Sequence, residues 1–147
     1  DLVSKHPLAR AVRIDKVTLS AISATLVAYL TGTHEKEIPI WTMIALSESN
    51  LADRSENWRS KTGTGTIERS RSTIGGGSLP GQTLPTSVLS IDPAGKIEDF
   101  VRALRESPVA VVARIENNRV ILDPRTVLPD QDDAVIEAIK FALNKSE

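Results

Sequence analysis

The run Gly75-Gly-Gly-Ser-Leu-Pro-Gly81, followed closely by Leu84-Pro85, constrains this chain more than any other stretch. Its glycines admit positive φ and close approach of other groups, while Pro80 and Pro85 withdraw amide donors and fix the backbone on either side. Such a segment is a built loop and not a tether. Anion-binding loops are the first alternative to test. A Walker loop needs Gly-Lys-Ser/Thr after its second glycine, and a dinucleotide fingerprint needs a glycine where Pro80 stands, so spacing excludes both. What remains from these residues is a tight connection between two strands.

A chain of 147 residues with a 40% hydrophobic fraction is long enough to bury a core. Its formal charge of -1 provides no field that would by itself gather nucleic acid or a membrane surface. The absence of cysteine excludes disulfide frameworks, thiolate metal sites and cysteine nucleophiles together. No apolar run approaches the roughly 18 residues needed to span a bilayer, so a cytoplasmic protein is expected. The first residue is Asp1, and Met43 is the one methionine, so the chain is expected to begin inside a longer polypeptide.

Apolar residues recur at Leu19, Ile22, Leu26, Tyr29 and Leu30 between Asp15 and Thr31, and Gly32 follows as a stop; this spacing predicts a helix. Pro39 opens a second predicted helix running to about Trp58, whose mostly polar later half is expected to face solvent. Thr66 to Ile74 reads as a strand entering the glycine loop, Ser87–Ile91 as a strand leaving it, and 95–107 as a helix with Ile97, Phe100, Val101 and Leu104 on one face. Val109–Ile115 is the next predicted strand. Asn117-Asn118 then turns a hairpin into Arg119–Asp123, because paired asparagines tolerate left-handed backbone. A last helix, about 131–143, turns Val135, Ile136, Ile139 and Leu143 inward, with Asp130, Asp132 and Asp133 at its positive end. Two helices followed by β, β, α, β, β, α imply a two-layer α+β fold, with a small antiparallel or mixed sheet covered on one face.

His6 and His34 lie far apart and lack the i+3 or i+4 neighbours of a helical metal pair, so no metal is expected. Serines are plentiful, but none stands in a Gly-x-Ser-x-Gly elbow. Arginine carries more information. Arg10 and Arg13 are three apart, so one helical turn would set both guanidiniums on one side, where two forks suit a tetrahedral oxyanion. A solvated basic face explains the same residues. Arg114 interrupts the apolar run Val109–Ile115 and needs either an anion or a structural partner, with Glu116 and Asp123 both near in sequence. Arg125 repeats the question after the hairpin.

Four segments in order, His6-Pro-Leu-Ala-Arg-Ala-Val-Arg-Ile-Asp-Lys-Val-Thr-Leu19, Ala24-Thr-Leu-Val-Ala-Tyr-Leu30, Ile74–Gly81 with Leu84-Pro85, and Pro108 through Arg114-Ile115 to Leu122-Asp-Pro-Arg-Thr-Val127, resemble the C-terminal part of the bacterial selenocysteine synthases, the L-seryl-tRNA(Sec) selenium transferases. The resemblance implies a homo-oligomeric enzyme of the aspartate-aminotransferase fold (fold type I). Such an enzyme uses pyridoxal 5'-phosphate to convert seryl-tRNA(Sec) to selenocysteinyl-tRNA(Sec) with selenophosphate. It further implies that residues 1–60 form a helical connection from a cofactor domain and 61–147 a C-terminal small domain. Arg10 and Arg13 fall where the family binds the selenium donor's oxyanion. Arg114 is implied, by analogy with transaminases, to lie near the substrate carboxyl, which in an aminoacyl-tRNA is an ester.

The family's cofactor lysine belongs to a Ser-Gly-Asp-Lys segment that is absent here, so no catalytic residue is expected in this chain and it should be inactive alone. Pro124 also stands where the family usually has leucine. A pyridoxal-phosphate lyase acting on a phosphorylated amino acid and a non-catalytic assembly module are the alternative readings.

Overall fold

A computed structural model describes residues 5–75 and 80–146. The chain divides into two compact units, Asp1–Thr42 and Met43–Glu147.

In the first unit, α1 (Leu8–Ala11) is a single turn and α2 (Lys16–Thr31) is the predicted long helix. Asp15 caps α2, accepting from the Thr18 backbone N–H at 2.9 Å and from its hydroxyl at 2.6 Å. Those two bonds, the hydroxyl first, hold the Asp15 carboxyl below the usual carboxylate range. Gly32 ends the helix at φ 72°, a conformation that costs glycine little. A short α3 (His34–Glu37) and the start of α4 (Pro39–Ala45) follow. His34 stacks on Tyr29 at 4.9 Å, Trp41 meets both rings edge-on, and the Trp41 indole N–H donates to the Tyr29 hydroxyl at 2.5 Å. The apolar residues whose spacing predicted this helix lie open on it: Leu19, Ile22, Leu26, Tyr29 and Leu30 are all exposed, and Ala28 is the buried residue of α2.

The second unit holds a four-stranded antiparallel sheet of order β1-β2-β4-β3, built from β1 (Thr66–Thr73), β2 (Thr83–Ile91), β3 (Arg114–Glu116) and β4 (Arg119–Leu122). Three helices, α5 (Glu48–Thr62), α6 (Ile97–Glu106) and α7 (Asp132–Ser146), supply the other layer. Period-two alternation turns Ile67, Leu89, Ile91, Val120 and Leu122 toward them, against Trp58, Phe100, Leu104, Val135, Ile136 and Ile139. Seven α-helices and four strands among the described residues make this an α+β fold.

Where structure and periodicity differ, local chemistry gives the reason. The single helix expected from Pro39 to Trp58 is two, because Ser47 adopts extended backbone and caps α5 through the Asn50 N–H. The later half of α5 is not a solvent face. Leu51, Ser55 and Trp58, at i, i+4 and i+7, are fully buried against the sheet layer. β3 is only three residues long, since β4 ends at Leu122 and the chain turns away at Pro124, leaving 109–113 without a ladder partner. Val111 N–H is satisfied by the Leu104 carbonyl at 2.9 Å.

The β1–β2 pairing runs out to Thr73↔Thr83, so the glycine-rich segment joins two antiparallel strands, although 76–79 lie outside the described residues. Gly65, at φ 85°, has no room for a Cβ, which would stand 2.7 Å from Leu89 Cδ1 and 2.9 Å from the Ser90 carbonyl. At Asn117 and Asn118, φ values of 49° and 61° make the hairpin turn as expected.

Trp58 is fully buried and its indole N–H has no partner. Truncation and relief of that donor therefore oppose one another. Trp58→Ala is expected to cost about 3–5 kcal/mol in urea denaturation, and Trp58→Phe less than about 2 kcal/mol, because the smaller ring leaves less cavity and removes the unpaired N–H.

Candidate functional site

The same alternation that builds the core places Thr66, Glu68, Ser70 and Ser72 of β1, Thr86 and Ser90 of β2, Arg119 of β4 and Arg114 and Glu116 of β3 on the opposite face of the sheet. That face is a hydrogen-bonded polar network. Asp123, just past β4, is buried and accepts from Ser72 Oγ at 2.6 Å, Thr86 Oγ1 at 2.8 Å and the Arg125 backbone N–H at 3.0 Å. Arg114 donates to Ser70 Oγ at 2.9 Å, and its guanidinium lies 2.9 Å from Glu116 and 3.7 Å from Asp123. Arg119 donates to Ser90 Oγ at 2.6 Å and to Thr66 Oγ1 at 3.0 Å, with Glu68 at 3.5 Å.

Two arginines thus meet three carboxylates, and both structural partners foreseen for Arg114 are present together. A substrate anion at Arg114 would have to displace Glu116 from a guanidinium that is one-third exposed. Arg10 and Arg13 present the opposite case. Arg10 lies in the α1 turn and Arg13 beyond its end at Val12, both are exposed, and among the described residues neither guanidinium makes a hydrogen bond or ion pair with protein. Their forks are open to an oxyanion.

Arg125 is a structural group that sequence reasoning left open. Its Nη1 donates to the carbonyls of Met43 at 2.7 Å, Ile44 at 3.2 Å and Leu46 at 3.0 Å, groups at the C-terminal end of α4 that lack helical partners. Its Nη2 donates to the Pro85 carbonyl at 2.8 Å, on a part of β2 that β4 does not reach; the Ser87 carbonyl nearby takes the Ser55 hydroxyl at 3.0 Å. Burial lowers the Arg125 pKa and neighbouring Asp123 opposes the shift, so the group stays charged at neutral pH.

Arg54 does similar work. It forks onto Asp132 at 3.0 and 2.5 Å and donates to the carbonyls of Pro124 at 2.7 Å and Val127 at 3.0 Å. Asp132 therefore serves an ion pair as well as the start of α7, and Asp133 faces Lys61 at 3.2 Å. Among the described residues no three His, Asp or Glu side chains are grouped to hold a metal ion. Sequence reasoning passed over Arg54, Ser70 and Ser72, although the alternation of Thr66, Glu68, Ser70 and Ser72 was a readable sign of a polar sheet face.

The family profile described as L-seryl-tRNA selenium transferase matches residues 1–128. The chain belongs to this family. Similar curated members of the transferase family are the L-seryl-tRNA(Sec) selenium transferases of Carboxydothermus hydrogenoformans, 34% identical over 138 residues, and of Geotalea daltonii, 35% identical over 147 residues. That of Geobacter sulfurreducens is 36% identical over 149 residues. These alignments cover 89%, 94% and 95% of the chain but 30%, 32% and 32% of the respective relatives. The chain therefore spans about a third of the length of the transferases it matches. None of its described helices is long and apolar enough to cross a membrane.

The geometry separates the arginines by what their loss does to folding. Arg125→Met, which strands four part-buried carbonyls, is expected to cost about 2–4 kcal/mol in urea denaturation, whereas Arg114→Met costs under about 1.5 kcal/mol, because Glu116 keeps access to water and buried Asp123 keeps its bonds from Ser72, Thr86 and the Arg125 N–H.

Proposed function

We propose that this chain is the C-terminal portion of a selenium transferase that converts seryl-tRNA(Sec) to selenocysteinyl-tRNA(Sec) with selenophosphate. On this reading residues 61–147 form the small domain of a fold type I enzyme, residues 1–60 the helical connection from its cofactor domain, and the assembled protein is a cytoplasmic homo-oligomer. The observation that carries it is the family match running through His6–Lys16, which contains two exposed arginines with no protein partner. Arg10 and Arg13 bind the selenium donor's oxyanion, each by a charge-assisted fork. Arg114, held by Glu116, Asp123 and Ser70, acts as a positioning residue at the substrate end of the sheet's polar face.

Pyridoxal 5'-phosphate, which supplies electron withdrawal when bound to such an enzyme, does not fit the lysines of this chain. A Schiff-base lysine is held desolvated, but every described lysine is exposed or half-buried, and Lys61, Lys140 and Lys145 face carboxylates at the surface. Attachment of the cofactor belongs to the portion of the transferase outside this chain, and the chain alone is inactive.

The test uses the complete transferase reading frame. Arg10→Ala and Arg13→Ala are each expected to raise the KM for selenophosphate about 10- to 100-fold while leaving affinity for seryl-tRNA(Sec) nearly unchanged, with Lys restoring only part of the loss because it lacks the planar fork. If both variants hold the selenophosphate KM within about twofold of the parent, the assignment fails. A frame that processes a phosphorylated amino acid and ignores seryl-tRNA would establish the lyase instead.

A further inference from the structure

The α1 turn that carries Arg10 is closed by His6, a residue that the oxyanion reading leaves unused. The Leu8 backbone N–H donates to His6 Nδ1 at 3.2 Å, and the Ala9 N–H donates to the His6 carbonyl at 2.9 Å. The ring takes the part that an Asn or Asp side chain takes in an Asx turn, accepting from the amide two residues on. Pro7 has no amide to satisfy, the Arg10 N–H reaches the Pro7 carbonyl at 3.3 Å, and the Val12 N–H closes the turn on the Leu8 carbonyl at 3.0 Å. The leading amides of the turn are therefore claimed, which leaves anion binding to side chains. Packing does not replace these bonds within this unit, since Leu8 and Val12 are 62% and 80% exposed. A turn of four residues has little stability of its own, so the bond to the His6 ring weighs heavily in its population. Arg13 is placed differently, two residues before the Asp15 cap of α2.

We propose that His6 is a positioning residue for the oxyanion site: its Nδ1 holds the α1 turn closed and thereby places the Arg10 guanidinium to act together with that of Arg13. This rests on the reading of Arg10 and Arg13 as the anion site for the selenium donor, and it adds a hydrogen-bond acceptor where a basic segment suggests a third cation. The two roles make opposite demands. A cation would serve the anion by charge, and lysine would replace it. An acceptor needs a lone pair within reach of the Leu8 N–H, which asparagine has and lysine lacks. Without that acceptor the turn opens in part of the population, and the apparent affinity for the anion falls with the fraction that stays closed.

In the complete transferase reading frame, His6→Ala is expected to raise the KM for selenophosphate about 3- to 30-fold, the range of a lost cap, with kcat and the affinity for seryl-tRNA(Sec) within about twofold of the parent. His6→Asn restores most of the loss and His6→Lys does not. Added to Arg10→Ala, His6→Ala raises the KM by less than about twofold more, because the closed turn no longer has a guanidinium to place. A His6→Ala KM within about twofold of the parent, while Arg10→Ala and Arg13→Ala raise it, overturns the proposal and leaves the arginine assignment standing. Restoration by His6→Lys overturns it too, as does a seryl-tRNA(Sec) affinity that falls in step with the KM, the mark of a general loss of fold. Arginine variants that leave the KM unchanged remove the anion site itself, and the role of His6 with it.

Discussion

The second unit depends on the turn Asp123-Pro124-Arg125, where a carboxylate and a guanidinium on adjacent sides of one proline satisfy buried and part-buried groups from three segments. Asp123 takes hydroxyls from β1 and β2, and Arg125 takes carbonyls from the end of α4 and from β2. Neither role is available to an apolar residue, since each stranded acceptor or donor would lose its water without replacement. Pro124 itself is fully buried and opens a 3-10 turn, in which its missing N–H interrupts no strand ladder. Arg54 reaches the same turn from α5 and ties it to Asp132 at the start of α7. Helix, sheet and closing helix are thereby fixed to one short stretch whose apolar contacts alone would not set its register.

This explains which parts of the fold were legible. Periodicity recovered α2, α6, α7, β1 and the Asn117-Asn118 hairpin because each is decided by nearby residues: the Asp15 cap and Gly32 stop for α2, one-faced apolar spacing for α6 and α7, alternation for β1, and two positive φ angles for the turn. It failed where a distant partner decides. The polar residues of α5 concealed a buried stripe, since Ser55 is accommodated by a hydroxyl bond to the Ser87 carbonyl and Trp58 is one aromatic among charges. Val109–Ala113 has strong strand composition but no neighbour to pair with, as β4 stops where Asp123 turns into its network. The outward stripe of α2 was visible as a stripe. Its direction was not, because a hydrophobic pattern says that a face is to be covered and not by what.

Among the candidate binding groups, sequence spacing distinguished Arg10 and Arg13 from Arg114 only through resemblance, whereas contacts distinguish them physically. Arg114 has Glu116, Asp123 and Ser70 within reach, and its alternation with Glu116 on one strand was already a sign of an internal pair. Arg119 adds Glu68 to the same face. A sheet face on which two guanidiniums meet three carboxylates and satisfied hydroxyls holds geometry firmly but attracts anions weakly, so its suitable role is orientation. On the proposed function, anion capture falls to Arg10 and Arg13, whose side-chain donors are unclaimed.

Those groups occupy the less self-sufficient unit. Among the described residues, the buried apolar residue of Asp1–Thr42 is Ala28, whereas Met43–Glu147 holds the hydrophobic cluster. Arg10 is carried by a single turn, and a turn of that length has little intrinsic stability in water. Two forks closing on one oxyanion need their backbones fixed to within a fraction of an ångström, which a marginal turn cannot provide unaided. Whatever covers the apolar surface of this unit therefore contributes to the arginine pair as much as the arginines do. If Arg10 and Arg13 hold the donor anion as proposed, its binding and the covering of this unit are linked: cover that orders the α1 turn raises affinity for the anion, and bound anion in turn favours the covered state by the same free energy.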